Sequence, residues 1–278
     1  MSVKHEETYW REAGGQNWVA NIDTTEALLE PLSEYLVDRA AARPGESVLD
    51  VGCGGGRTSL TLADAVGETG RVVGADISDP ILSVAHERGA SLPNVEFERV
   101  DAATADLGQG VFELLFSRFG VMFFSDPVAA FRNLRRSLKP GGRCVFMCWR
   151  TMEENPWLSK PAAVAFEILP PPEPPDPHDP GPFAFADADR TRGILEAAGF
   201  AGIQHEAINH QMTWPNVDAA VDYLLRMGPA GALLREADDP ALSARVAGAV
   251  GALLSDHVTT AGVQLPSAVW VVSARNPA

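Results

Sequence analysis

The chain has 278 residues, of which 46% are hydrophobic and 21% charged, a composition typical of a globular protein with one sizeable core. Its 22 basic and 37 acidic side chains give a formal net charge of -15. Because this field repels polyanions, we expect no nucleic acid as a partner. No apolar run long enough for a membrane span and no signal-peptide pattern is found in the sequence, so we expect a cytoplasmic protein.

The three cysteines, Cys53, Cys144 and Cys148, form no Cys-x-x-Cys pair. An odd number at this spacing predicts neither a disulfide framework nor a metal site. Cys144 and Cys148 lie in an apolar run, and we expect them to be buried thiols in a reducing compartment.

The first predicted element is a helix over residues 24–42, with leucines at helical spacing. From Ser47 onward, short apolar strands alternate with helices. Strands are predicted over residues 47–51, 71–76, 94–100, 113–117 and 143–149, and helices over 57–66, 80–88 and 127–138. Such alternation is typical of parallel βαβ units, whose strands are covered by helices on both faces.

The alternation ends after Trp149. Residues 170–182 contain eight prolines in thirteen positions, which excludes a helix or a central strand. This segment is either a surface linker or a lid over a pocket mouth. Further on, helices are predicted over 156–169, 189–198 and 216–258, the last broken at Gly228-Pro229 and near Pro240, and strands over 201–213 and 267–273.

The most informative segment is Val48-Leu-Asp-Val-Gly-Cys-Gly-Gly-Gly-Arg57, a strand followed by a glycine loop and a helix. Glycines allow positive φ and close approach of a ligand to the backbone, and the helix N-terminus suits a negative group. The dinucleotide fingerprint Gly-x-Gly-x-x-Gly fails, because its sixth position is Arg57 counted from Gly52 and Ser59 counted from Gly54.

Five motifs in register give the chain a family resemblance. They are Val48-Leu-Asp-Val-Gly-Cys-Gly-Gly-Gly56, Gly74-Ala-Asp-Ile-Ser78, Val100-Asp-Ala102, Ser117-Arg-Phe-Gly120 and Leu138-Lys-Pro-Gly-Gly142. In these motifs the chain resembles class I S-adenosylmethionine-dependent methyltransferases, in particular the ubiquinone/menaquinone-type and natural-product branch. The resemblance implies an α/β fold, a Rossmann-like doubly wound seven-stranded sheet with the last strand antiparallel, plus helical cap insertions.

We interpret residues 1–278 as a single methyltransferase domain. Its parts are an N-terminal helical cap (1–45), a cofactor-binding core (46–150), a proline-rich lid insertion (151–186) and C-terminal strands (187–278) with a helical cap insertion (216–258). A homodimer is compatible with this organisation.

The resemblance implies S-adenosyl-L-methionine as cofactor. Asp50 would place negative charge near the cationic methionyl part, Asp76 would accept both ribose hydroxyls, and Asp101 would accept from the adenine amino group. Asp50 has an alternative role in orienting the loop, and Asp101 in capping the turn that follows it. The predicted cofactor-binding residues are Asp50, Gly52, Cys53, Gly54, Gly56, Asp76, Ile77, Asp101, Ala102 and Ser117.

Methyl transfer from a sulfonium needs mainly alignment and exclusion of water, so a distinctive catalytic group is not required. The catalytic candidates are Arg118, His210 and His257. Aromatic residues near the predicted pocket favour a small aromatic or lipophilic acceptor, methylated on oxygen, carbon, nitrogen or sulfur. The predicted pocket residues are Trp18, Phe119, Phe123, Phe183 and Phe185.

Two other functions compete with this hypothesis. A nucleotide-dependent oxidoreductase would need the third glycine that Arg57 replaces. A non-catalytic binding module would keep the fold without the intact glycine loop and Asp76. No Asn/Asp-Pro-Pro-Tyr follows the fourth predicted strand, which disfavours methylation of exocyclic amines.

Overall fold

The computed structural model describes residues 8–171, 173 and 176–277. Its helices are α1 (Ala13–Ala20), α2 (Ile22–Ala40), α3 (Arg57–Val66), α4 (Asp79–Gly89), α5 (Pro127–Ser137), α6 (Pro156–Phe166), α7 (Ala188–Ala197), α8 (Val217–Met227), α9 (Ala230–Ala237) and α10 (Pro240–Ser255). Its strands are β1 (Ser47–Val51), β2 (Arg71–Asp76), β3 (Val95–Arg99), β4 (Phe112–Arg118), β5 (Leu138–Trp149), β6 (Ala201–Trp214), β7 (Val258–Thr259) and β8 (Gly262–Arg275).

Helix starts follow local chemistry in the sequence. Prolines stand in the first turn of α5, α6 and α10, where the missing N–H has no intrahelical partner to lose. Side chains of Asp126, Asp187, Asn216 and Asp239 accept backbone N–H groups at the starts of α5, α7, α8 and α10. These caps explain why the predicted and observed boundaries agree closely.

The strands form one sheet in the order β3-β2-β1-β4-β5-β8-β6. Strands β1 to β5 pair in parallel, and β8 pairs antiparallel with both β5 and β6. The predicted Rossmann-like sheet with an antiparallel last strand is therefore confirmed. One detail was wrong: the sheet has an eighth strand, because the two-residue β7 forms a hairpin with the start of β8.

Helices cover the sheet on both faces. Asp50 is opposite Phe116 in the register of β1 with β4, and it faces α3, whose hydroxyls it binds. Phe146 is paired with Ser117, one residue further along, so it points to the opposite face, where its ring lies 5.5 Å from Phe131 of α5. Both faces are therefore buried, as expected for a doubly wound sheet.

The order in which successive strands are added to the sheet reverses at β1, which lies between β2 and β4. In open α/β sheets ligands bind at such a switch point, in the crevice at the carboxyl ends of the strands. The helices α8, α9 and α10 are inserted between β6 and β8 and pack on one another near this end of the sheet. Across the described ranges no helix has both the length and the apolar character needed to cross a bilayer.

Candidate functional site

The glycine loop folds back across the end of β2. Gly52, Gly54 and Gly56 have φ values of 68°, 55° and 80°, in the left-handed region that side chains disfavour. The N–H groups of Gly52 and Cys53 donate to the Ala75 carbonyl oxygen at 2.8 and 3.2 Å. The loop therefore joins the ends of β1 and β2, where the crevice was predicted.

The loops after β1 and β4 touch at the bottom of this crevice. A Cβ atom added to Gly52 would lie 2.7 Å from the Gly120 Cα atom. Ser117, fully buried, donates from Oγ to the Val51 carbonyl at 2.7 Å, and its Oγ accepts the Gly120 N–H at 3.2 Å. Ser117 thus holds the two strand ends together.

Asp50 lies beneath the loop and is fully buried. The hydroxyls of Thr58 and Ser59 donate to its Oδ2 atom at 2.8 and 2.7 Å. Its Oδ1 atom is buried and has no hydrogen-bond partner in the described part of the chain. Burial raises the pKa of the Asp50 carboxyl to about 6, while the two hydroxyls and the positive charge of Arg118 limit the rise.

Asp76 connects the end of β2 to the same loop. Its Oδ2 atom accepts the Gly54 N–H and its Oδ1 atom the Ser78 N–H, both at 2.9 Å. Burial raises the pKa of this carboxyl. Each oxygen keeps a further lone pair, so the carboxylate can support the loop and accept from a ligand. Ile77 lies between Asp76 and Ser78 and is partly exposed.

Asp101 follows β3, and its side chain caps the next turn. Its Oδ1 atom accepts the Ala103 N–H and its Oδ2 atom the Thr104 hydroxyl, both at 2.9 Å. The capping role considered for Asp101 is thus observed, and it leaves lone pairs on both oxygens. Ala102, next in the chain, is buried.

The N-terminal segment lies across the crevice. The Trp10 ring lies 5.3 Å from Phe123, after β4, and 5.9 Å from Trp18. A Cβ atom on Gly15 would lie 2.4 Å from the Ser78 Oγ atom, after β2. Residues 8–20 therefore reach from the end of β2 to the residues after β4.

Three buried polar atoms at this crevice have no hydrogen-bond partner among the described residues. They are Asp50 Oδ1, Ser78 Oγ and Trp10 Nε1. Unpaired buried polar groups are costly, so these three atoms are candidate contacts for a polar ligand or an ordered water. Such a set suits a ligand with an ammonium group and hydroxyls. The sequence did not single out Ser78 as a contact residue, although it ends one of the five motifs.

Aromatic rings form a column beside the crevice. Phe119 stacks on Trp149, with 4.3 Å between ring centroids and an interplanar angle of 10°. The column continues from Trp149 to Trp157 (5.2 Å), to Trp214 (6.5 Å) and to Tyr223 (6.1 Å). Phe119 has a φ of 61°, an unusual conformation for a bulky residue next to a ligand crevice.

Several predicted residues lie elsewhere. Phe185 is packed at 6.0 and 6.1 Å from Phe131 and Phe146, on the face opposite Asp50, so the structure makes it a core residue. The His257 Nε2 atom lies 3.2 Å from Lys160 Nζ in an exposed contact.

Two further predicted residues, His210 and Phe183, are also placed by the structure. His210 is on the edge strand β6, where burial lowers its pKa. Phe183 is partly buried against the core. The end of the proline-rich segment nevertheless approaches the crevice, because the Gly181 N–H donates to the Met122 carbonyl at 3.1 Å.

Comparisons with known proteins agree with this geometry. Residues 48–142 match a methyltransferase domain family. A demethylmenaquinone methyltransferase of Staphylococcus aureus is 30% identical over 172 residues, covering 58% of this chain and 70% of that protein. A 37.1 kDa protein of transposon TN4556 from Streptomyces fradiae is 38% identical over 129 residues, 46% of this chain but only 37% of that protein.

A solved structure shares the fold. It is phosphoethanolamine N-methyltransferase 2 of Haemonchus contortus in complex with S-adenosyl-L-methionine, with a TM-score of 0.62, 16% identity, and coverage of 100% of this chain and 60% of that one.

The sheet order, with a glycine loop at the switch point, is that of a Rossmann-like fold. The chain belongs to the class I S-adenosylmethionine-dependent methyltransferases. It is a methyltransferase of this family, whose methyl donor is S-adenosyl-L-methionine.

Proposed function

We propose that this enzyme transfers a methyl group to a small aromatic or lipophilic acceptor that binds beside the aromatic column. The observation that carries the proposal is the run of five rings from Phe119 to Tyr223, at the carboxyl ends of β4, β5 and β6. Aromatic rings at the edge of a ligand crevice favour flat or apolar ligands. The name of the relative, demethylmenaquinone methyltransferase, supports the same class of acceptor.

We further propose where the cofactor binds. Asp50 Oδ1 faces the ammonium, the backbone of residues 52–56 packs along the methionyl chain, and Asp76 accepts from the ribose hydroxyls. Asp101, Ala102 and Ile77 contact the adenine. Ser117 acts on the cofactor through the strand ends that it holds. This proposal is supported by the unpaired Oδ1 atom and by the loop conformation.

The cofactor supplies an electrophilic methyl group on a sulfonium. The chain's part is to hold the acceptor atom in line with it and to keep water out. Phe119 and Trp149 provide a flat, buried wall, and the Trp10–Phe123 contact closes the other side. Burial raises the pKa of the Tyr223 hydroxyl, so this group stays protonated at neutral pH and can orient an acceptor oxygen without acting as a base.

A labelled methyl group tests the acceptor class. The enzyme would be incubated with methyl-labelled S-adenosylmethionine and a size-matched panel of phenols, quinols, aliphatic amines and hydrophilic carboxylates. We expect label in the aromatic or lipophilic members. Label confined to the hydrophilic members would contradict the proposal.

Phe123 offers a test of the pocket wall. The variant Phe123→Ala removes a ring that packs on Trp10, and we expect kcat/KM for the acceptor to fall by about tenfold to a hundredfold, as for loss of one buried aromatic contact. The matched control is Phe124→Ala, because the adjacent ring packs 5.9 Å from Phe131 of α5 instead. An equal loss in both variants would show that only general stability had changed.

The raised pKa of Asp50 should make folding stability and cofactor affinity change with pH in opposite directions. Its pKa is about 6 in the folded chain, against an ordinary 3.8. The folded state therefore binds this proton more tightly, and the stability of the free chain should fall as pH rises from about 4 through about 6. Binding needs the ionised carboxylate, so affinity for S-adenosylhomocysteine should increase over the same window.

Thermal unfolding and calorimetric titration at a series of pH values measure both trends. In the variant Asp50→Asn the inflection near pH 6 should disappear from both profiles. An unchanged inflection in this variant would assign it to another group.

A further inference from the structure

Arg118 is a partly buried cation that the proposed transfer step does not use. It ends β4, and its Nη1 atom donates to the Ser33 hydroxyl of α2 at 2.8 Å. Burial lowers the pKa of the guanidinium, while the charges of Glu26 and Asp50 oppose this effect. Some of its surface remains accessible. A cation in this position, with donors to spare, indicates an anionic partner.

Arg118 and Asp50 point to the same side of the sheet. Asp50 is paired with Phe116 in the register of β1 and β4, and Arg118 is two residues further along β4. Because side chains alternate along a strand, both face α2 and α3. Among the described residues Arg118 nevertheless forms no salt bridge, and the Asp50 Oδ1 atom has no hydrogen-bond partner.

The neighbouring acids already have cations of their own. Glu26 binds Arg88 at 2.7 Å, and Glu30 binds Arg57. Within the described ranges of the chain, the Asp50 carboxylate and the Arg118 guanidinium are therefore left without an ion-pair partner, and they do not hydrogen-bond to each other. The methionyl end of the cofactor is the complementary pair, one ammonium and one carboxylate on the same carbon atom.

We propose that Arg118 binds the carboxylate of the cofactor's methionyl group while Asp50 binds its ammonium. This inference rests on the proposed placement of the cofactor along residues 50–56. A guanidinium binds a carboxylate through parallel N–H groups, and such charge-assisted bonds are stronger than neutral ones. The enzyme should therefore select nucleoside thioethers that keep the whole amino-acid end.

Calorimetric titration with two ligands tests this selectivity. The ligands are S-adenosylhomocysteine and its decarboxylated analogue, which keeps the amine, the thioether and the nucleoside. On the unchanged chain we expect S-adenosylhomocysteine to bind about tenfold to a hundredfold more tightly. In the variant Arg118→Gln this ratio should fall to within about threefold of unity, through weaker binding of S-adenosylhomocysteine alone.

Two further variants refine the test. Arg118→Lys keeps the positive charge but lacks the parallel N–H donors of the guanidinium, so it should give an intermediate ratio of the two affinities. Arg57→Gln is the matched control, because it removes an arginine next to the same acidic residues, at an exposed position, and should leave the ratio unchanged.

Each outcome decides one point. A ratio near unity on the unchanged chain overturns the role of Arg118 even if no Arg118 variant folds. A large ratio that survives Arg118→Gln also overturns it and assigns the carboxylate to the loop N–H groups. If the unchanged chain binds neither ligand, the placement of the cofactor fails, which is a distinct result.

Discussion

Replacing Gly52 by alanine should destabilise the folded chain by about 3 kcal/mol or more and remove measurable cofactor binding. The residue has a φ of 68°, where a side chain is strained. The new Cβ atom would also lie 2.7 Å from the Gly120 Cα atom, so one of the two loops would have to move. Chemical denaturation and titration with S-adenosylhomocysteine measure the two effects.

Gly67→Ala separates the strain from the clash. Gly67 ends α3 with a φ of 67°, and nothing lies within 4 Å of its added Cβ atom. Its ψ of -173° belongs to a region populated almost only by glycine, so this variant should cost about 1 to 3 kcal/mol from strain alone and should bind the cofactor normally. If Gly52→Ala proved no worse than Gly67→Ala, the close approach of the two loops would not matter for stability or binding.

The variant Asp76→Ala should weaken binding of S-adenosylhomocysteine by about a hundredfold or more. The proposed ribose contacts would be lost, and with them the two 2.9 Å bonds that hold the Gly54 and Ser78 N–H groups in place. The effect should be on affinity more than on folding, because the loop backbone can bind water once the crevice opens. Calorimetry at neutral pH gives the affinity.

Asp106→Ala is the matched control for Asp76. Its Oδ1 atom also accepts a backbone N–H, that of Gly108, at 3.0 Å in an exposed turn. We expect the cofactor affinity of this variant to stay within about twofold of the unchanged chain. An equal loss of affinity in both variants would show that any lost carboxylate lowers affinity through net charge.

Most of the fold could be predicted because its boundaries are set by local residues. The limits of β1, β2 and α3 agree with the structure to the residue, since glycines or an aspartate punctuate each of them. The start of β5 was placed at Arg143, five residues late, because Lys139–Gly142 reads as a turn. In the structure Leu138 already pairs with Phe112, ahead of an irregularity in the register.

The site was predictable only where its chemistry lies in a continuous motif. The glycine loop, Asp50 and Asp76 are within the motifs of β1 and β2, and the structure brings them together. The aromatic column joins Phe119, in the loop after β4, to Tyr223 through Trp149, Trp157 and Trp214, and the last four residues belong to four different helices and strands. No local sequence pattern predicts such contacts, because they depend on how α6 and α8 pack against the ends of the strands. Phe185 looked equivalent but packs on the other face of the sheet.

The N-terminal segment ties distant parts of the molecule together. Besides the contacts of Gly15 and Trp10, the Asn17 amide donates to the Arg226 carbonyl at 3.3 Å, at the end of α8. Because this segment lies over the crevice, we expect the donor and the acceptor to enter and leave only when it detaches. Detachment of a dozen residues, more than the chemical step, would then set the residence time of both ligands.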